Sequence, residues 1–180
     1  MKEDSILKKL TIHRVLVILV FIGALIIMRG YEQTFQLYSK GVGILDMRFG
    51  YDGSEVYQLF STLGKAGRYV YIKNLCIDVI FIISFALLQN YFLKWIMGKE
   101  MLESRWRLLL SISYLRGSFD IIENILIFVL LINFQSEFLW LATVSGSVTR
   151  VKFILLGLWL AVVPIVFIVR KVRGKRSKSI

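Results

Sequence analysis

The sequence predicts an all-α fold: a membrane bundle of four transmembrane helices with a short amphipathic helix in the first outside loop. Three observations predict it. Hydrophobic residues make up 57% of the 180, against about 45–50% in soluble domains. Mean hydropathy is +0.68. Four apolar runs, at about 11–28, 74–93, 112–134 and 151–169, approach the ~20 helical residues that cross a hydrocarbon core. With one proline and no low-complexity tract, residues 1–180 read as a single integral membrane domain.

The first run is the shortest. Val15–Met28 is uncharged and flanked by Arg14 and Arg29. A basic start before a short apolar stretch also fits a secretory signal. No small-x-small cleavage site follows and three more runs do, so the segment is expected to stay as a helix with snorkelling arginines. The second run holds one acid, Asp78, and the fourth holds one cation, Lys152. Pro164 falls inside the fourth, where neighbouring helices can tolerate it.

Loop charge predicts orientation. The N-terminal segment (Lys2, Lys8, Lys9, Arg14), the connection between runs two and three (Lys94, Lys99, Arg105, Arg107) and the tail 170–180 carry 14 of the 23 cations. Residues 135–147 carry none. With four spans these basic segments share one side. Both termini are then expected in the cytoplasm of a multi-pass protein. The Ile- and Lys-rich composition points to a bacterial plasma membrane. Net charge of +11 would favour nucleic acid in a soluble chain. Here the basic tail lacks interleaved aromatics to stack bases and reads as a contact with anionic lipid. Membrane lipids and a membrane-protein partner are the expected partners; nucleic acid is not.

Several chemistries are excluded. Cys76 is the single cysteine and His13 the single histidine. An intrachain disulfide, a CxxC redox pair, a thiolate cage and a multi-histidine zinc site cannot form. A Ser-His-Asp triad would need His13 to reach across the membrane. The glycine spacing matches no nucleotide-binding loop. No metal or cofactor is specified.

The outside loop, about 29–73, holds the most local information. Asp52 or Ser54 can cap a helix with Glu55 in its first turn. Val56, Leu59, Phe60 and Leu63 then recur at helical spacing, and Gly64 can stop the run. A further helix is expected from near Ala66 into the second span, carrying Arg68, Tyr69, Tyr71 and Lys73 at the interface. Upstream, Asp46 and Arg48 stand two apart. On an extended segment they would point the same way, either as a lid lowered onto the bundle mouth or as a weak surface pair.

The third run contains "SFDIIENILIFVLLINF", residues 118–134. Arg116, Asp120, Glu123 and Asn124 are separated by steps of three, four and seven and so share a stripe. Tyr71, Asn74 and Asp78 share one on the second run, and Thr149, Arg150 and Lys152 open the fourth. With the rise of an α-helix, Asp78, Asp120, Glu123 and Lys152 fall in the same outer layer. Charges facing lipid cost ~2.5–3.5 kcal/mol each, so these groups should turn inward and meet. The candidate pocket is Asp78, Asp120, Glu123, Asn124, Arg116, Lys152, Tyr71 and Arg68, with Asp46 and Arg48 as candidate lid. Two readings stand: a salt-bridge network that fixes helix register, and an outward-facing pocket.

"LDMRFGY", "GRYVYIKNLCID", "FDIIEN" and "TRVK", spread over roughly residues 43–160, resemble a group of small bacterial four-helix integral membrane proteins. The resemblance implies architecture and no activity. The expected function is binding or accessory, with the pocket taking a lipid headgroup, a small ligand or a membrane partner. The alternative is a membrane enzyme on a lipid-linked substrate, using carboxylate acid/base or metal-assisted chemistry. A metal enzyme should gather Asp78, Asp120 and Glu123 around one point with Lys152 outside it. Lys152 or Arg116 at that point would favour binding or structure.

Overall fold

The computed structural model describes residues 2–176, with side chains described for 11–173. Every regular element among them is helical. α1 is Lys2–Ser39, α2 Gly53–Leu102, α3 Ser111–Ile132 and α4 Leu139–Arg176, and short 3-10 turns punctuate the connections. The predicted basic residues Lys2, Lys8, Lys9, Lys175, Arg176 and Lys178 have side chains outside the described residues.

Three helices are long and apolar enough to cross a membrane: Thr11–Ser39 within α1, Gly53–Leu102, and Leu139–Arg173 within α4. α3 has the length, at 22 residues, but carries Arg116, Asp120 and Glu123. All three are buried, so its outer face is the apolar one. Large aliphatic and aromatic side chains cover the exposed faces, among them Leu19 and Ile26 on α1, Ile125 on α3 and Ile154 on α4.

The helices outrun the apolar segments. Residues 29–39, read as loop, continue α1, with Arg29 bridging Glu32 at 3.4 Å one turn on. α1 ends at Lys40 (φ 55°) and Gly41 (φ 84°), where the Gly41 amide closes on the Gln36 carbonyl. α4 likewise begins at Leu139, twelve residues before the predicted span. Charge marked the ends of the apolar stretches, and nothing in either flank breaks a helix.

α2 is three helical pieces separated by breaks at Gly64 and Gly98. Asp52 caps the first: its carboxylate accepts the Glu55 amide at 2.9 Å while Glu55 accepts the Asp52 amide at 2.8 Å, a reciprocal capping box. Its Val56, Leu59, Phe60 and Leu63 are buried, as their spacing predicts. At Gly64 the backbone turns to φ 58°, ψ −173°, a conformation open essentially to glycine. A second break follows at Gly98. There Arg170 of α4 donates to the Trp95 and Ile96 carbonyls at 3.1 and 2.8 Å, supplying partners that the interrupted helix lacks.

α2 is the hub. α1 lies along it, and α3 and α4 pack on each other and on α2; α1 and α4 have no comparable contact. Two apolar cores result. One gathers Phe35, Leu45, Tyr51, Phe60, Tyr71 and Ile127 under the loop between α1 and α2. The other gathers Leu93, Met97, Met101, Ile112, Trp159 and Val166 at the opposite end. The polar residues of α2, α3 and α4 fill the layer between them.

Candidate functional site

The polar layer is built on α3. Asp120, Glu123 and Asn124 project from one stripe, and opposite-facing positions such as Ile122 and Ile125 are exposed. α2 packs beside Gly117, where a Cβ would sit in ordinary contact with Ala86 and Ile82 at 3.5 and 3.6 Å. Ser145, Thr149 and Lys152 of α4, spaced by four and three, face the same stripe and are buried.

Lys152 stands at the centre. Its Nζ lies 2.8 Å from Asp120 Oδ1 and forms an ion pair with Glu123 Oε2 at 2.6 Å. Asp120 also takes Arg116 Nη1 on Oδ2 at 2.8 Å. Arg116 donates through Nε to Gln89 Oε1 at 3.2 Å and lies 4.6 Å above the Phe85 ring, a cation–π distance. Glu123 is fully enclosed and accepts Thr149 Oγ1 at 2.5 Å. Two cations and two carboxylates therefore neutralise one another in a buried quartet, the arrangement that offsets desolvation.

Two further carboxylates adjoin it. Asp78 of α2 accepts Asn124 Nδ2 at 2.7 Å. Asp46 accepts the Tyr71 hydroxyl at 3.0 Å, and that hydroxyl in turn accepts the Leu45 amide at 3.1 Å. Neither acid lies within ion-pair distance of a cation among the described residues. Burial pushes the Asp46 carboxyl above its ordinary value, with the nearby Lys152 charge opposing.

A cavity of about 330 Å³ opens beside the quartet. Asp46, Asn74, Asp78, Arg116, Asp120 and Lys152 form its polar side, and Leu25, Met28, Phe81, Phe85, Phe153 and Leu156 its apolar walls. Arg29 and Glu32 flank it from α1. A larger hollow of about 570 Å³ runs between α1 and α2, but apart from His13 and Ser84 its lining is aliphatic. It is a groove on an apolar surface and offers no chemistry.

The structure brings together Asp78, Asp120, Glu123, Asn124, Arg116 and Lys152, with Tyr71 joined through Asp46. Arg68 is elsewhere: it donates to the Phe60 carbonyl at 2.9 Å and stacks 4.0 Å over Phe134. The candidate lid divides. Residues 45–47 form a 3-10 turn and not an extended strand, so side chains two apart diverge. Asp46 turns into the cavity while Arg48 turns back to the Gly43 carbonyl at 2.8 Å. The acids likewise do not converge on a vacant metal-sized point, because the Lys152 ammonium holds the place between Asp120 and Glu123.

Sequence reasoning missed Tyr51, Ser145 and Gln89 as members. Tyr51 reaches Ser145 Oγ at 2.7 Å and Glu123 Oε1 at 3.4 Å. Burial first, then the Glu123 charge, hold its hydroxyl well above the ordinary value, so it stays protonated. Its place depends on Gly146, whose missing Cβ would strike the Tyr51 carbonyl. Gln89 lies eleven residues, three turns, beyond Asp78 on α2, and Ser145 precedes Thr149 by one turn. Both were legible as extensions of stripes already noticed.

A scan against protein-family models, a search of curated proteins and a search of solved structures each return no match.

Proposed function

We propose that the chain is a four-span integral membrane protein of a bacterial plasma membrane, with both termini cytoplasmic, and that it binds a polar group in the cavity between its helices. The role is binding or accessory. The occupant is a lipid headgroup, a small ligand or a segment of a membrane partner. The resemblance to small bacterial four-helix membrane proteins read from "LDMRFGY" and "FDIIEN" would accord with this architecture.

One observation carries the reading. The cavity joins a charged floor to greasy walls, the lining expected where one end of an occupant is polar and the other apolar. Burying α3 as a fourth span is reasonable because its three ionisable groups are compensated inside the protein and only its apolar face meets the surroundings.

The enzymatic alternative, acid/base chemistry on a lipid-linked substrate, draws support from Asp46 and Asp78, which form no ion pair among the described residues. A metal-assisted version is disfavoured, since the ammonium of Lys152 sits between two of the three acids it would require.

Mass spectrometry of lipids and metabolites that co-purify with the protein tests the binding role. Leu25→Trp and Leu156→Trp, which fill the cavity from α1 and from α4, should each deplete the same co-purifying species. An unchanged profile in both variants would reject the cavity as a binding site.

A further inference from the structure

The charges around the cavity can be accounted for group by group. Arg29 pairs with Glu32 at the rim. Arg116 and Lys152 are spent on Asp120 and Glu123. Asp46 and Asp78 remain, from two different elements, both facing the cavity and both held by neutral donors alone. Buried carboxylates without a cation in direct contact are expensive.

An independent observation points to a ligand at the same place. Asn74, one turn before Asp78, is 2% exposed and lines the cavity, yet neither its amide oxygen nor its amide nitrogen has a partner among the described residues. Buried side-chain amides are normally satisfied. An ammonium is the complementary species. It donates to Asp46, to Asp78 and to the Asn74 carbonyl oxygen, and it offsets one of the two remaining carboxylate charges.

The route in is lateral. Leu25 and Met28 of α1 face Phe153 and Leu156 of α4 across the cavity, and these two helices do not otherwise pack to any extent. The gap lies within the apolar stretches of both. It suits an acyl or alkyl chain continuous with surrounding lipid.

Building on the binding role proposed above, we infer that the cavity holds the ammonium head of an amphiphile between Asp46 and Asp78, with its apolar chain leaving through the slot between α1 and α4. Arg116 keeps its Nη2 amino group unpartnered, as donor to an oxygen carried next to the ammonium. An amino-headed phospholipid has both features.

The experiment uses the full-length protein in nanodiscs of equal phosphatidylethanolamine and phosphatidylglycerol, released and analysed by native mass spectrometry. Phosphatidylethanolamine should be retained in preference. Asp46→Asn/Asp78→Asn should reduce that retention by about tenfold or more, and Leu25→Trp should abolish it. Asp52→Asn, at a carboxylate outside the cavity, should leave it unchanged. Dodecylamine should displace the lipid and ethylamine should not.

Preferential retention of phosphatidylglycerol, or full retention in the double variant, overturns the ammonium assignment while the cavity stands as a headgroup site. Displacement by ethylamine as effective as by dodecylamine overturns the lateral amphiphile in favour of a free amine. Lipid retention that is insensitive to Leu25→Trp overturns this inference, and insensitivity to Leu156→Trp as well overturns the binding role with it. Thermal unfolding of each variant identifies any that has lost its fold, in which case single Asp78→Asn and the amine competition decide.

Discussion

Lys152 on α4 and Glu123 on α3 form a buried ion pair at 2.6 Å, with Asp120 sharing the same ammonium at 2.8 Å. Removing one member leaves an uncompensated buried charge, which typically costs about 3–5 kcal/mol. Lys152→Met should destabilise the protein on that scale in detergent unfolding. Glu123→Gln placed in the same background should recover part of the loss. A double-mutant cycle that returns no coupling would contradict a paired quartet.

Gly146 lets the Tyr51 backbone lie against α4. Gly146→Ala should push the loop off and cost about 1–3 kcal/mol, the usual penalty of overpacking. The same variant should weaken the Tyr51 contact to Ser145 and Glu123. Tyr51→Phe, which removes the hydroxyl and leaves the backbone in place, should cost less. Equal stability of Gly146→Ala and wild type would mean that the close approach is relieved elsewhere.

Asp46 gives a pH dependence with a defined sign. Its carboxyl is raised above 3.8 by burial, so the folded state holds the proton more tightly than the unfolded chain. The associated stability is complete below 3.8 and is lost as pH rises through the raised folded value. In the absence of a cationic ligand, Asp46→Asn should remove this slope and raise the thermal midpoint at neutral pH. A steeper decline with pH in the variant would reverse the argument.

The four-span arrangement predicts labelling. In a Cys76→Ser background, cysteines at Lys40 and Glu137 should react with an impermeant maleimide on intact cells, and one at Glu103 only after permeabilisation. Were α3 not a span, positions 103 and 137 would label alike.

Tyr71 links the loop to α2 through one hydroxyl that serves both Asp46 and the Leu45 amide. Tyr71→Phe leaves both buried groups short of a partner, at about 1–3 kcal/mol. Hydrogen exchange at Leu45 should rise accordingly.

Much of the site was legible because helical spacing is rigid. Once Asp120, Glu123 and Asn124 fell on one stripe, the cost of facing them to hydrocarbon dictated that they turn inward. The same cost drew in Asp78 and Lys152. What could not be read was any contact set by irregular backbone. Tyr51 reaches Glu123 across 72 residues of chain because a loop rests on a glycine of α4, and no periodicity encodes that. Arg48 and Arg68 were misplaced for a related reason. Both lie beside backbone carbonyls, at Gly43 and Phe60, whose need for a donor arises only once the turn and the helix break exist. The Asp52 cap and the Gly64 break were legible from residue type, but the end of α1 and the start of α4 were not, since charge marks where apolar character stops and not where a helix stops.

The buried quartet has a consequence for biogenesis. α3 can neutralise Arg116 against Asp120 within a single turn as it leaves the ribosome, but the helix carries no second cation for Glu123. On the four-span arrangement, α3 must wait at the translocon, or remain partly in water, until α4 emerges and delivers Lys152. The last two helices would then enter the lipid phase as a joined hairpin, and a chain truncated before residue 152 should be left with α3 poorly inserted.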